Sequence, residues 1–371
     1  TAMAQRQQLA AQTEKVDALG WLQRGAAVLS MGTSSGSGAG FINVWDALAP
    51  FPDRAPLAHE ADVTDVQWLG ETDRFLTAGR DGTVRLWGSD GRLLATSGRM
   101  ESIEQIRLIN GGEQVVAAGH SLGGRFALHE PGEPWNEIQH LHFLDVAGLG
   151  VVRPALRWDR GWPAPIAAHR DGNVVVCCKW LGLGIVAIDA QTGRIVARHR
   201  FGKAWTESDN NIVTGMTASP THLWVVVRDI RELFRFTLPE LGQLPSLPLP
   251  KDTAGYIDAV LCLSHQGDRI ALGAYGRIVI IDASSGTELY SLSLKGVQRE
   301  RATVEAVAWS RDGRFLAGAI ENRVLVWDCN SREIIKEFTG HLQRVRGLAW
   351  NPDGRLLVSV GADGAIIGGK M

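Results

Sequence analysis

Apolar residues along this chain come in short runs that alternate with polar positions, and Asp-Gly, Asn or Gly parts one run from the next. A period of two places every second side chain on one face of an extended strand, so the runs predict antiparallel hairpins. The links Ser310-Arg311-Asp312-Gly313 and Asn351-Pro352-Asp353-Gly354 are turns with a mechanism. Asp or Pro starts each turn and Gly supplies the positive φ. No long amphipathic helix is spaced among the strands.

The runs recur as a unit. Residues 63–68 lead into 74–79 and then 82–87; near the end, 304–309 lead into 315–318 and 323–328, and 345–350 lead into 356–361. With the last residue of each first strand as a ruler, Trp21, Trp68, Leu108, Ala168, Thr217, Leu263, Trp309 and Trp350 lie 47, 40, 60, 49, 46, 46 and 41 residues apart. A period of about 40–50 residues with about four strands per unit marks a β-propeller. Eight first strands predict an all-β fold: a single closed propeller over residues 1–371, with eight blades of four antiparallel strands. Seven blades follow instead if the Trp21 or the Ala168 unit is not a blade. The last unit stops in its third strand at Met371, so part of segment 1–15, around Gln8 and Gln12, is expected to complete it. Such closure removes an open sheet edge. The long interval before Ala168 predicts an inserted loop near 133–163, rich in Trp, Pro and Gly.

These units resemble the WD-repeat propellers. The family's Trp-Asp dipeptide stands at Trp45-Asp46 and Trp327-Asp328, and is altered to Trp87-Gly88, Ile188-Asp189 and Ile281-Asp282. The resemblance implies that His59, Thr77, Asp81 and Trp87 form a hydrogen-bonded tetrad inside one blade. His341, Ser359 and Asp363 match three of its positions in the last unit, where Gly369 replaces Trp. A buried network of this kind pins a hairpin only when every member is paired.

Composition narrows the function classes. A formal net charge of −2 gives no field that would gather nucleic acid or an anionic membrane. The longest apolar runs, such as 278–281, are too short to cross a bilayer. Cys177, Cys178, Cys262 and Cys329 have no Cys-x-x-Cys spacing, so they are expected as reduced, buried residues of a cytoplasmic protein. Abundant Arg, Ala and Gly suggest a GC-rich, bacterial genome, and Thr1-Ala2 before Met3 reads as a cloning remnant.

Three stretches look like chemistry. Gly119-His120-Ser121-Leu122-Gly123 reproduces the Gly-x-Ser-x-Gly elbow of many esterases, which would make Ser121 the nucleophile of a serine hydrolase. That elbow needs a following helix and a parallel sheet, whereas residues 125–129 read as a strand, so a hairpin turn is the better reading. His140 and His142 share a face of an extended segment, with Glu137 and Asp145 nearby, but no third ligand is evident and loop histidines are expected. The Gly-rich stretch 32–40 lacks the Lys-Ser/Thr ending of a phosphate loop and enters a strand. No catalytic, cofactor or metal site is therefore expected. The resemblance implies instead a scaffold that binds protein or peptide partners, as a monomeric propeller, through the loops that enter the first strand and join the second to the third. The matching positions include Asp62, Arg80, Arg228, Tyr275, Asn322 and Arg344. Arg and Tyr suit such a role because they bury large area and keep a polar end for a partner.

Overall fold

A computed structural model describes residues 15–22, 27–33, 40–46, 59–120, 138–159, 165–179, 184–201, 213–227, 232–249, 260–274, 276–294 and 303–371. Within these, strands gather into eight sheets, each a meander in which successive strands pair antiparallel. The first sheet holds β1 (Lys15–Leu22), β2 (Ala27–Thr33) and β3 (Gly40–Asp46). Seven further sheets follow. They are β4 (Val63–Trp68), β5 (Arg74–Gly79), β6 (Val84–Gly88) and β7 (Leu93–Thr96); then β8 (Ser102–Ile109), β9 (Gln114–His120), β10 (Ile138–Asp145) and β11 (Val151–Asp159). The next are β12 (Ile166–Ala168), β13 (Val174–Lys179), β14 (Gly184–Asp189) and β15 (Ile195–Arg200), and β16 (Val213–Ala218), β17 (His222–Val227), β18 (Glu232–Thr237) and β19 (Gln243–Pro248). The last three comprise β20 (Leu261–Leu263), β21 (Arg269–Ala274), β22 (Arg277–Asp282) and β23 (Glu288–Ser293); β24 (Val304–Trp309), β25 (Phe315–Ile320), β26 (Arg323–Asp328) and β27 (Glu333–Phe338); and β28 (Val345–Trp350), β29 (Leu356–Gly361) and β30 (Ile366–Lys370).

These seven sheets, β4–β7 onward, are the blades of a closed ring. Their first strands neighbour one another in the order β4, β8, β12, β16, β20, β24, β28, and β28 returns to β4. Seven apolar clusters repeat that cycle, one at each junction. The closing cluster joins Val63, Val66, Phe75 and Trp87 of the first blade to Ala349, Val358, Val360 and Ile366 of the last. The expected count of eight is thereby corrected to seven. The Trp21 unit, β1–β3, is a separate three-stranded sheet outside the cycle, because β4 already faces β28 where an eighth blade would have to stand. Segment 1–15, expected to complete the last blade, lies outside the described residues apart from Lys15, the first residue of β1.

Burial within a blade explains the strand patterns. Second and third strands are covered by both neighbouring blades, so β25 and β26 are buried at every position but the first, and their apolar runs are continuous. Successive residues then serve opposite clusters: Val175 and Cys177 face the second blade, while Val176 and Cys178 face the fourth. Fourth strands are edges with largely exposed side chains, as in β27. The stretch expected as an inserted loop near 133–163 contains the interior strand β10 and the edge strand β11 instead. Strand β11 is an outer strand with little burial, and Pro154 is tolerated there because an edge has no second ladder to supply.

Polar side chains fix the turns and the first blade. Asp189, Asp282 and Asp328 each end a third strand and accept hydrogen bonds from backbone N–H groups two or three residues on, at 2.7–3.3 Å. In two of the three altered Trp-Asp dipeptides, Ile188-Asp189 and Ile281-Asp282, the retained half is thus the half that closes a turn. Inside the first blade, Trp87 Nε1 donates to Thr77 Oγ1 at 2.8 Å, Thr77 Oγ1 lies 2.8 Å from His59 Nε2, and His59 Nδ1 meets the Asp81 carboxylate at 3.0–3.1 Å. The polarity is consistent for a neutral imidazole: Thr77 O–H donates to Nε2 and Nδ1–H donates to Asp81. In the last blade His341 bridges Ser359 (2.9 Å) and Asp363 (3.1 Å), and the Phe338 ring occupies the space beside Gly369 that a side chain would need.

Candidate functional site

The seven first strands all line one central cavity of about 1910 Å³. Inter-blade hydrogen bonds knit its wall, among them Trp309 Nε1 to Cys262 O (3.1 Å), Trp350 Nε1 to Ala308 O (3.0 Å) and Leu263 N to Thr217 Oγ1 (3.3 Å). Trp309 and Trp350 thus each donate to the preceding blade, whereas Trp68 donates to Thr72 O of its own blade at 2.7 Å and Thr217 accepts from the blade that follows.

One end of the cavity is ringed by charge. Val63 pairs with Gly79, so the residues before β4 and after β5 belong to the same face. There Arg80 lies 3.2 Å from Asp62 and 3.2 Å from Glu104, a residue of the next blade. Asp65 and Arg107 form a second inter-blade pair at 2.6 Å, and Asp65 also accepts the Ile106 N–H at 3.0 Å. On the other side of the closing junction, Glu305 of the sixth blade lies 3.0 Å from Arg344 and 3.7 Å from Arg346 of the seventh. Arg344 keeps 64% of its side chain in solvent, against 26% for Arg80. Asn322 donates to the His341 carbonyl at 3.1 Å and is half-buried. Of the predicted partner-binding residues, the structure thus gathers Asp62 and Arg80 into one ion-pair chain and holds Asn322 against the last blade. Arg344 stands freest in solvent. Arg228 and Tyr275 lie outside the described residues. Sequence reasoning missed Glu104, Glu305 and Arg346, which sit within first strands and become rim residues only through the ring.

Two of the chemical candidates change character. Gly119 and His120 end β9, whose neighbours β8 and β10 both run antiparallel to it, unlike the parallel setting of a nucleophile elbow. A Cβ on Gly119 would collide with the Ser102 carbonyl, so this glycine serves close strand packing. Ser121 lies outside the described residues. His140 and His142, expected in a loop, belong to β10, and His140 is buried. Their rings stack 5.9 Å apart, and the Glu101 carboxylate reaches both, at 3.5 Å from His140 Nδ1 and 2.9 Å from His142 Nε2. Burial pushes His140 down and Glu101 only partly restores it. Burial would raise Glu101, but its own backbone hydrogen bond and the two imidazoles hold it below the usual carboxylate range. No spacing motif could reveal Glu101, which is 41 residues from His142; only the strand register unites them.

Comparison with known proteins matches three stretches, residues 54–88, 292–328 and 332–367, to the family described as WD domain, G-beta repeat. Relatives include the rice "Chromatin assembly factor 1 subunit FAS2 homolog", 27% identical over 158 residues, or 41% of this chain and 29% of that protein. The "66 kDa stress protein" of Physarum polycephalum is 34% identical over 110 residues, 29% of this chain and 18% of the relative. The Arabidopsis thaliana "Cell division cycle 20.5, cofactor of APC complex" is 36% identical over 100 residues, 26% of this chain and 21% of the relative. The matched regions thus span less than a third of each of these proteins. All three are eukaryotic, and the suggestion of a bacterial origin finds no support in them.

Proposed function

We propose that this chain, three stretches of which match the WD-domain family model, is a non-enzymatic scaffold that binds protein or peptide partners through the charged end of its central cavity. The observation that carries the reading is convergence. The first, second, sixth and seventh blades bring side chains from both ends of the chain to one rim, and both signs of charge stand there. A mixed, ordered set of charges favours a partner with complementary charges of its own, and such pairs set association rate and register. Two relatives are named as a subunit of chromatin assembly factor 1 and as a cofactor of the APC complex, so both are named for their place in an assembly. Arg344, with Asp62, Arg80, Arg228, Tyr275 and Asn322, is the proposed partner set. The near-neutral charge argues for protein over nucleic acid or membrane, and the free cysteines suit a reducing, cytoplasmic setting. The first and last blades cover each other's edges, so we take the ring as monomeric.

Arg344→Glu with Arg346→Glu tests the reading. The pair should abolish capture of the protein's partners from a cell extract at unchanged fold, because surface ion pairs contribute only about 0–1 kcal/mol. Reversing Arg194 and Arg355, exposed at turns on the opposite face, should leave capture intact. Equal loss from both variants, or loss from neither, refutes the assignment of the face.

A further inference from the structure

We propose that Glu101, His140 and His142 form a binding site for a divalent transition-metal ion of the zinc class, on the second blade at its loop-face end. The donors are two imidazoles and one carboxylate, and one ligand atom from each lies within 4.8 Å of the other two. Zinc holds N and O ligands at about 2.0–2.2 Å, so tetrahedral donors stand about 3.3–3.6 Å apart. Glu101 Oε1 lies 3.5 Å from His140 Nδ1 and Glu101 Oε2 lies 2.9 Å from His142 Nε2, each close to that range. Bringing one carboxylate oxygen and both nitrogens from within 4.8 Å of one another to that spacing takes shifts of about 1 Å, within reach of small rotations about the side-chain bonds.

The strands build this arrangement. His140 and His142 alternate along β10 and so share a face, and their near-parallel rings, 17° apart, leave two nitrogens side by side. On that face their β9 partners are Gly119 and Ala117, and Gly119 in turn pairs with Ile103 of β8. Cross-strand partners project to one side of a sheet. A Cβ on Gly119 would meet the Ser102 carbonyl and Ile103, so glycine there lets the start of β8, and with it the preceding Glu101, approach β9 closely.

Imidazole with carboxylate suits zinc, cobalt, nickel or ferrous iron better than calcium or magnesium, which take oxygen donors. Three protein ligands leave a position for water or for a group of a bound molecule. Arg157 approaches Glu101 at 3.9 Å and would compete for the carboxylate, but 65% of its side chain is in solvent and can turn away. His120, 3.8 Å from Glu104, lies on the adjoining strand, and Glu104 is itself held by Arg80. The inference goes beyond the scaffold reading and does not depend on it.

Full-length protein stripped with a chelator and titrated with Co(II), then Zn(II), tests the site. One equivalent should bind, with the visible d–d absorption of low-coordinate cobalt that zinc then displaces, and zinc should raise the thermal midpoint. Glu101→Gln, nearly isosteric, and His142→Ala should each weaken affinity by at least about 100-fold, beyond the effect of removing a supporting group. His222→Ala, distant in the fourth blade, should not. Circular dichroism of the apoproteins separates ligand loss from misfolding, and Glu101→Gln alone decides if His142→Ala fails to fold. Absence of saturable binding in wild type, or binding that Glu101→Gln leaves unchanged, overturns the proposal.

Discussion

Thr77→Val isolates the hydrogen bonds of the first blade, because valine nearly matches threonine in volume and leaves no cavity. Thr77 is 0% exposed, so its partners cannot turn to water. Its hydroxyl accepts from Trp87 Nε1 and donates to His59 Nε2, both at 2.8 Å. Removing it orphans one buried donor and one buried acceptor, each costing about 1–3 kcal/mol. The expected loss is thus about 2–6 kcal/mol, a large fraction of the ~5–15 kcal/mol that stabilises a typical domain. Ser359→Ala in the last blade is the internal comparison. Its hydroxyl serves His341 but no indole, since Gly369 stands at the tryptophan position, so it should cost about 1–3 kcal/mol. Urea unfolding followed by tryptophan fluorescence and by circular dichroism reads both, and coincident transitions license the free energies. A Thr77→Val loss below about 0.5 kcal/mol, the usual range of neutral surface changes, refutes the reasoning.

Acid should weaken the fold through the carboxylates of the two networks. Burial alone would raise Asp81 and Asp363, yet hydrogen bonds from His59 and His341 hold both below the ordinary value. Hydrogen bonds from Ser284 and Ser285 likewise bring Asp282 down to about 2. A carboxyl whose folded value is depressed stabilises the fold above its unfolded value, near 4, and that contribution is lost as pH falls through the folded value. Thermal midpoints should therefore drop below about pH 4, and less steeply in Asp363→Asn, which starts lower at neutral pH. An equal slope in both proteins would remove Asp363 from the account. Trp350→Phe loses the bond to Ala308 O and part of the indole's packing against Phe315, and should cost at least about 1 kcal/mol by the same urea assay; no change would deny the indole its inter-blade role. Gly82→Ala should cost more than about 2 kcal/mol, since φ is +79° and a Cβ would meet the Met100 carbonyl, and a near-neutral result would contradict the backbone drawn here.

Much of the propeller is legible in the chain because its units share one environment. Middle strands such as 278–281 and 323–328 lie between blades on both faces, and continuous apolar runs record that directly. Trp309 and Trp350 mark the ends of first strands because their indoles tie one blade to the next. Blade number is different. The Trp21 segment has strand pattern too, and only the junction of Val66 and Phe75 with Ala349 and Val358, from opposite ends of the ring, excludes it from the cycle. Strand β11 was illegible for the opposite reason: an exposed edge strand needs no apolar signature. The site is legible only in part. Asp62, Arg80 and Arg344 flank strands at turn positions, where a sequence pattern points to them, but Glu104 and Glu305 lie inside first strands and Glu101 meets His140 and His142 only through β8–β9–β10 pairing.

Site-resolved photo-crosslinking tests the central claim most directly. A photoreactive amino acid at position 344, on the charged rim, should form a covalent adduct with a partner protein in cells, and the same group at position 355, on the opposite face, should not. Adducts from 355 alone, equal adducts from both positions, or none from either would contradict the account of a scaffold that works through its charged rim.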